Sequence, residues 1–307
     1  MVVAALRRFE VVDRPTARSL HERSTPRGGG LAPAVTALVV AGVLLDGGPV
    51  RRALLLGGAA FALLGLLEDV RGISVRTRLA VQVVLAAATL AVLYRHDPPG
   101  LLLVLVAVVW VVSVVNAVNF MDGINGISGV HAAACGTAWW LLARDDAPAV
   151  ARAGAVLAFA FVGFLPVNFP TARTFPGDVG SYFLGAWCGL LVLAGIRGGV
   201  PADAMAAPLA LYLADTGSTL VWRLRQGSGW REPHRDHAFQ RLAGEWGHTR
   251  VTTLVGGATL LCGAIAVAGA HRSAAARLAA DAAVVAVVAA YLALPAAIGR
   301  GRSSCAS

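Results

Sequence analysis

The chain has 307 residues, of which 57% are hydrophobic and only 14% charged, with a mean hydropathy of +0.69. That balance excludes an ordinary soluble domain and implies a membrane-embedded chain. The formal charge of +9 is carried by arginine, with no lysine anywhere; it suits membrane topology and anionic lipid or phosphate partners, so no nucleic-acid partner is expected.

Residues 1–30 are charged and rich in Pro and Gly, unlike the apolar core of a signal peptide. Apolar cores then follow at 31–45, 53–67, 79–94, 101–118, 127–142, 153–167, 181–196, 204–222, 251–270 and 280–298. A membrane-spanning helix needs about 17–25 such residues, so the expected fold is all-α: a polytopic integral membrane helix bundle of about ten transmembrane helices. Residues 1–307 are expected to form a single membrane domain. Numbering the connections alternately from the N-terminus places 18 of the 26 arginines on one side. Arginine collects in cytoplasmic loops, so both termini, the segment 1–30 and the His/Arg loop 223–250 are expected to be cytoplasmic. Cys135, Cys188, Cys262 and Cys305 show no metal-ligand spacing, and three lie in apolar segments as small buried hydrophobes.

Polar residues interrupt this pattern in five stretches, and all five fall on the arginine-rich side. In DRPTARSLHERSTPRGGG (13–30), Arg18, His21 and Arg27 with three glycines suit an anion-contacting loop or, equally, a basic patch on the membrane surface. In GLLEDVRGISVRTRLAVQ (65–82), Glu68 and Asp69 are paired before Arg78. Such a pair suits cation binding or proton abstraction, or else a solvated helix end.

The stretch NAVNFMDGINGISG (116–129) places Asn116, Asn119, Asp122 and Asn125 at every third position of an apolar run. Side chains at that spacing share a helix face. Intramembrane polar groups face a bundle interior or aqueous cavity, either as a pocket wall or as hydrogen-bonded helix contacts. In NFPTARTFPGDVGSYFLG (168–185), Asp178 lies between two glycines before an apolar helix. It can cap that helix, or it can bind Mg²⁺, which takes one or two carboxylates and completes its shell with water and phosphate. In REPHRDHAFQRLAGEWGHTR (231–250), His234, Arg235 and His237 suit phosphate oxygens; a zinc site would need a third ligand that the spacing does not supply.

Taken in order, D-R-P-x-x-R-x-x-H with P-R-G-G-G, G-x-x-E-D with R-L-A-V-Q, N-A-V-N-F-M-D-G-I-N-G-I, G-D-V-G-S-x-x-L-G and H-R-D-H-A-F-Q-R-L resemble the polyprenyl-phosphate N-acetylhexosamine-1-phosphate transferases. The resemblance covers residues from about 13 to 250 and is specific because five blocks occur in order. It implies a bacterial inner-membrane enzyme whose site faces the cytoplasm. The implied reaction moves a sugar-1-phosphate from a UDP-N-acetylhexosamine to polyprenyl phosphate, releasing UMP, with Mg²⁺ as cofactor and Mn²⁺ as an alternative ion.

Carried onto these positions, the resemblance implies catalytic roles for Asp69, Asp122, Asp178 and His237, and metal contacts for Asp178, Asp69 and Glu68. Asn116, Asn119, Asn125, Arg18, His21, Arg27, Arg78, His234 and Arg235 are the implied substrate contacts. Glu68 departs from the family, which has Asp there, and Asn125 stands where the peptidoglycan branch has Asp. The sparse histidine block, P-R-G-G-G and H-A-F-Q-R-L look more like the surface-glycan initiating branch. The family normally carries a transmembrane helix before its first motif; this sequence starts almost at that motif, so a late-assigned start or a truncation is expected. A homodimer is compatible with the sequence. A transporter remains the alternative class, as does an inactive relative of the transferases; a transporter would place polar residues toward both membrane faces. A CDP-alcohol phosphotransferase would need D-G-x-x-A-R, where this chain has D-G-I-N-G-I.

Overall fold

A computed structural model describes residues 12–13, 25–227 and 236–305, with side chains for 25–227 and 236–298. The protein is a polytopic helical membrane bundle. Its helices are α1 (Leu31–Leu44), α2 (Pro49–Arg71), α3 (Val75–Leu93), α4 (Leu101–Met121), α5 (Ile127–Ala143) and α6 (Pro148–Asn168), then α7 (Gly177–Arg197), α8 (Ala202–Ala206), α9 (Ala210–Arg225), α10 (Ala238–Trp246), α11 (His248–Gly269) and α12 (Ala274–Cys305). Two-residue strands, β1 (Val12–Asp13) and β2 (Thr25–Pro26), pair antiparallel at the N-terminal end.

Local sequence sets the helix boundaries. Pro49 and Pro148 open α2 and α6 at the first turn, where a missing N–H costs nothing. Gly72, at φ 65°, ends α2, and Gly126, at φ 77°, precedes α5, both in the region that glycine enters without a Cβ clash.

All ten expected apolar cores fall in helical segments, but the count of spanning helices differs from ten. Seven helices, α2, α3, α4, α6, α7, α11 and α12, are long and apolar enough to cross a membrane, while α1 and α5 are shorter apolar helices. The core expected at 204–222 is not one helix: α8 gives way to a 3-10 turn at Ala207–Leu209 before α9 begins. Pro208 lies in that turn and cannot continue the i to i−4 ladder. The break leaves Asp215 in the second half, fully buried.

Helix α7 is the hub, with 89% of its apolar window buried, against 17% for the peripheral α12. Lipid tails are as apolar as leucine, so helices in a membrane associate through close backbone approach at small residues. A Cβ on Gly185 would lie 2.5 Å from the Val115 Cα of α4, and one on Gly136 of α5 would lie 2.4 Å from the Gly154 carbonyl of α6. At Gly65 of α2, a Cβ would lie 2.1 Å from the carbonyl oxygen of Asp178 on α7. Gly65→Ala is therefore expected to lower stability by about 1–3 kcal/mol, the usual range for overpacking, read as a fall in thermal midpoint in detergent. The outward faces, such as Leu101, Leu102, Leu103 and Val109 of α4, are exposed and apolar, as lipid contact requires.

The N-terminal segment docks on the loop before α7. Gly29 and Gly30 donate backbone hydrogen bonds to the Phe175 and Pro176 carbonyls at 2.8 and 2.9 Å. A Cβ on Gly30 would lie 2.4 Å from the Gly180 Cα, and one on Gly177 would meet Asp69 Oδ2 at 2.6 Å. The glycines of P-R-G-G-G and G-D-V-G-S thus let two backbones touch, which brings Arg27 to the start of α7.

Candidate functional site

The first turn of a helix leaves its leading N–H groups without partners inside the helix. In α7 these are supplied by Asp69, in the last turn of α2. Its Oδ1 accepts from the Asp178 N–H and its Oδ2 from the Val179 N–H, both at 3.0 Å. The Asp69 side chain is wholly buried, and Arg27 binds it through Nε at 2.8 Å. Arg27 also reaches the Asp178 Oδ1 through its terminal nitrogen at 2.9 Å. From α4, the Asn119 amide donates to the same Asp178 oxygen at 2.8 Å and to Ser181 Oγ at 3.0 Å. Four separate parts of the chain therefore meet at one helix start: the N-terminal segment, α2, α4 and α7.

Asp122 lies at the C-terminal end of α4, where its Oδ1 accepts from Ser128 Oγ at 2.6 Å. Burial raises its pKa to about 7, the Ser128 hydrogen bond opposes the rise, and the Asp178 and Asp69 charges add to it while Arg27 subtracts. The folded protein therefore holds a proton on Asp122 more tightly than the unfolded chain does. Stability contributed by the neutral acid is present at low pH and is lost as pH rises from the ordinary carboxylate range through about 7. Thermal midpoints should fall as pH rises from about 4 to about 7 and level off above it, and Asp122→Asn should flatten the slope.

The other expected residues take different positions. Asn116, one turn deeper than Asn119, donates to Gln82 Oε1 of α3 at 2.7 Å and to its own Val112 carbonyl at 2.8 Å. Asn125 leaves the helix and donates to the Pro170 carbonyl at 3.0 Å, while Thr252 Oγ1 donates to the Asn125 carbonyl at 2.7 Å. The three-residue stripe thus splits: Asn119 and Asp122 serve the acid cluster, Asn116 joins α4 to α3, and Asn125 pins loops. Glu68 accepts from the Ile73 N–H at 2.8 Å and pairs with Arg78 at 3.4 Å, which turns its carboxylate toward the α2–α3 connection. Arg18, His21, His234 and Arg235 lie outside the described residues.

His237 sits at the start of α10, 5% exposed, and its Nδ1 lies 3.2 Å from the Asp215 Oδ1 of α9. Its ring stacks toward Phe120, beside Asn119, with centroids 6.2 Å apart. Phe239 lies under the Gly123 turn, where a Cβ would meet its ring at 3.0 Å. Helix α10 therefore covers the end of α4 next to Asp122. Sequence reasoning passed over Asp215, Ser128 and Asn168. Asp215 had a usable signal as a lone acid inside an apolar core. Asn168 joins two loops, accepting from the Gly126 N–H and donating to the Thr174 carbonyl, both at 2.9 Å.

Among the described residues, no three His, Cys, Asp or Glu side chains converge closely enough to cage a metal ion. The donors at the α7 start are nonetheless hard oxygens: the Asp178 and Asp122 carboxylates and the Asn119 amide, with the Asp122 pKa raised by burial and, to a lesser extent, by its acidic neighbours. That set fits a cation held by one or two carboxylates and completed by water and phosphate oxygens, and it does not fit an all-protein cage.

The chain matches the description of glycosyl transferase family 4 over residues 52–196, the stretch from α2 to α7 that carries Asp69, Asn119, Asp122 and Asp178. Over 262 residues, covering 80% of this chain and 73% of the relative, it is 27% identical to a protein of Bacillus subtilis (strain 168) described as "Probable undecaprenyl-phosphate N-acetylglucosaminyl 1-phosphate transferase".

Proposed function

We propose that the protein transfers a sugar-1-phosphate from a UDP-N-acetylhexosamine, with GlcNAc as the first candidate, to polyprenyl phosphate at the cytoplasmic face of a bacterial inner membrane. The products are UMP and a polyprenyl-diphosphate sugar that begins a cell-envelope glycan. The observation that carries this reading is the meeting of Arg27, Asp69, Asn119 and Asp178 at the α7 start. The name of the Bacillus relative supports it, and the arginine bias supports the orientation.

In the reaction, an oxygen of the lipid phosphate attacks the sugar-bearing phosphorus of the UDP-sugar. The bond from that phosphorus to the bridging oxygen breaks, and UMP leaves with that oxygen and its electron pair. Two anions must meet, so their repulsion has to be offset by fixed positive charge. Arg27, 38% exposed and anchored by two carboxylates, presents guanidinium charge at the site without having to be ordered by substrate. Asp178, with Asp122 beside it, would hold Mg²⁺, or Mn²⁺ as another oxygen-preferring ion. When bound, such an ion neutralises charge on the diphosphate and the leaving UMP. Asn119 fixes the Asp178 carboxylate by donating to one oxygen, so its geometry is set before substrate arrives. His237, whose ring lies 6.2 Å from that of Phe120, would contact the sugar diphosphate from the α10 side.

The fate of the sugar-bearing phosphate tests this directly. With UDP-GlcNAc labelled at that phosphorus, purified protein and undecaprenyl phosphate, the label is expected to enter the lipid phase. Label left in released UDP would mean transfer of the sugar alone and would overturn the reading.

A further inference from the structure

We propose that Asp215 is a positioning residue that fixes the tautomer and orientation of His237, and that Tyr291 of the last helix completes its grip. The inference rests on the transferase reading for its kinetic consequence, while its structural content stands apart from it. Asp215 is wholly buried in α9, the one acid of that helix. Its oxygens are surrounded by donors. Oδ1 accepts from the Ala238 N–H at 2.9 Å and faces His237 Nδ1 at 3.2 Å, and Thr219 Oγ1 approaches at 3.5 Å. Oδ2 accepts from the Tyr291 hydroxyl at 2.7 Å and from the Phe239 N–H at 3.1 Å.

A carboxylate accepting from every side is ionised and can only accept. His237 must therefore present a proton on Nδ1, which leaves Nε2 as the basic nitrogen of the neutral ring. The two backbone N–H groups are the orphan donors of the α10 start, so the carboxylate that orients the ring also anchors the helix carrying it. Tyr291 is 3% exposed and comes from α12, beyond the stretch matched by the family description. The C-terminal helix thereby reaches the site through one hydroxyl.

A carboxylate that orients a metal-bound histidine typically changes affinity or activity about 10- to 100-fold when it is removed, and the same order is expected for this pair. Asp215→Asn is expected to lower kcat about 10- to 100-fold, and Tyr291→Phe, which keeps packing and backbone bonds, by a smaller factor. In a His237→Ala background neither change should lower kcat further, because residues that act through one group do not add. Losses that multiply in that background would overturn the proposal.

A second readout needs no turnover. In protein carrying ¹⁵N-histidine, with His237 assigned by difference from His237→Ala, the neutral ring of the wild type should report a protonated Nδ1 and an unprotonated Nε2. Tyr291→Phe should weaken that preference without unfolding. A neutral wild-type ring with its proton on Nε2 would overturn the proposal even if the transferase reaction is confirmed. Protonated Nδ1 would support it even if the substrate proves different.

Discussion

Asp178→Asn is expected to lower kcat by roughly 10³-fold while leaving a folded protein, because a lost electrostatic contact to the transferring phosphates costs on that order. The fold should survive because Asp178 does not cap its own helix. Asp69 supplies that cap to the Asp178 and Val179 N–H groups, and an amide oxygen at position 178 can still accept from Asn119. What disappears is the negative charge that balances Arg27 and would hold a cation. The check pairs initial rates with a thermal midpoint. Wild-type turnover by the variant would remove Asp178 from the chemistry, and a collapsed midpoint would assign it to the scaffold.

Asp69→Asn should reduce activity and stability together. The family resemblance implies either a base at this position or a part of the site around the lipid phosphate, and a base alone could be replaced by the isosteric amide with little structural cost. The geometry demands more, since both Asp69 oxygens accept from α7 backbone N–H groups and Oδ1 also accepts from Arg27. An asparagine must turn its NH₂ toward one of those donors. A hydrogen bond to a charged group contributes about 1.5–3 kcal/mol. Partial exposure of Arg27 screens its share, so a loss of about 2 kcal/mol is expected, with kcat down about 100-fold as the α7 start and Arg27 shift. A variant that loses activity at an unchanged thermal midpoint would favour the base role over the cap.

The sequence made the site legible wherever chemistry left an unusual residue in a greasy background. Asn119, Asp122 and Asp178 stood out because lipid-facing helices have no use for them, and the structure brings Asn119 to Asp178 at 2.8 Å. The glycines around Arg27 and Asp178 were visible as a pattern, but their purpose was not. Only the three-dimensional path shows Gly30 lying on Gly180. Even three-residue spacing suggested that Asn116 and Asn125 share one surface with Asn119, yet the helix ends at Met121 and a deeper partner, Gln82, claims Asn116. Asp215 escapes notice because its segment reads as one apolar core, although a lone acid in such a core is itself a usable signal. The break at Ala207–Leu209, and with it the separate helix that buries this acid, depends on where the chain must turn to pack against α5 and α11.

The measurement that bears most directly on the central claim is UMP release by the purified protein from UDP-GlcNAc, with undecaprenyl phosphate and Mg²⁺ present. The account predicts one UMP for each lipid-linked sugar formed, with both products lost on adding EDTA and restored by excess Mg²⁺. No UMP across a panel of UDP-N-acetylhexosamines, or undiminished release in excess chelator, would contradict it.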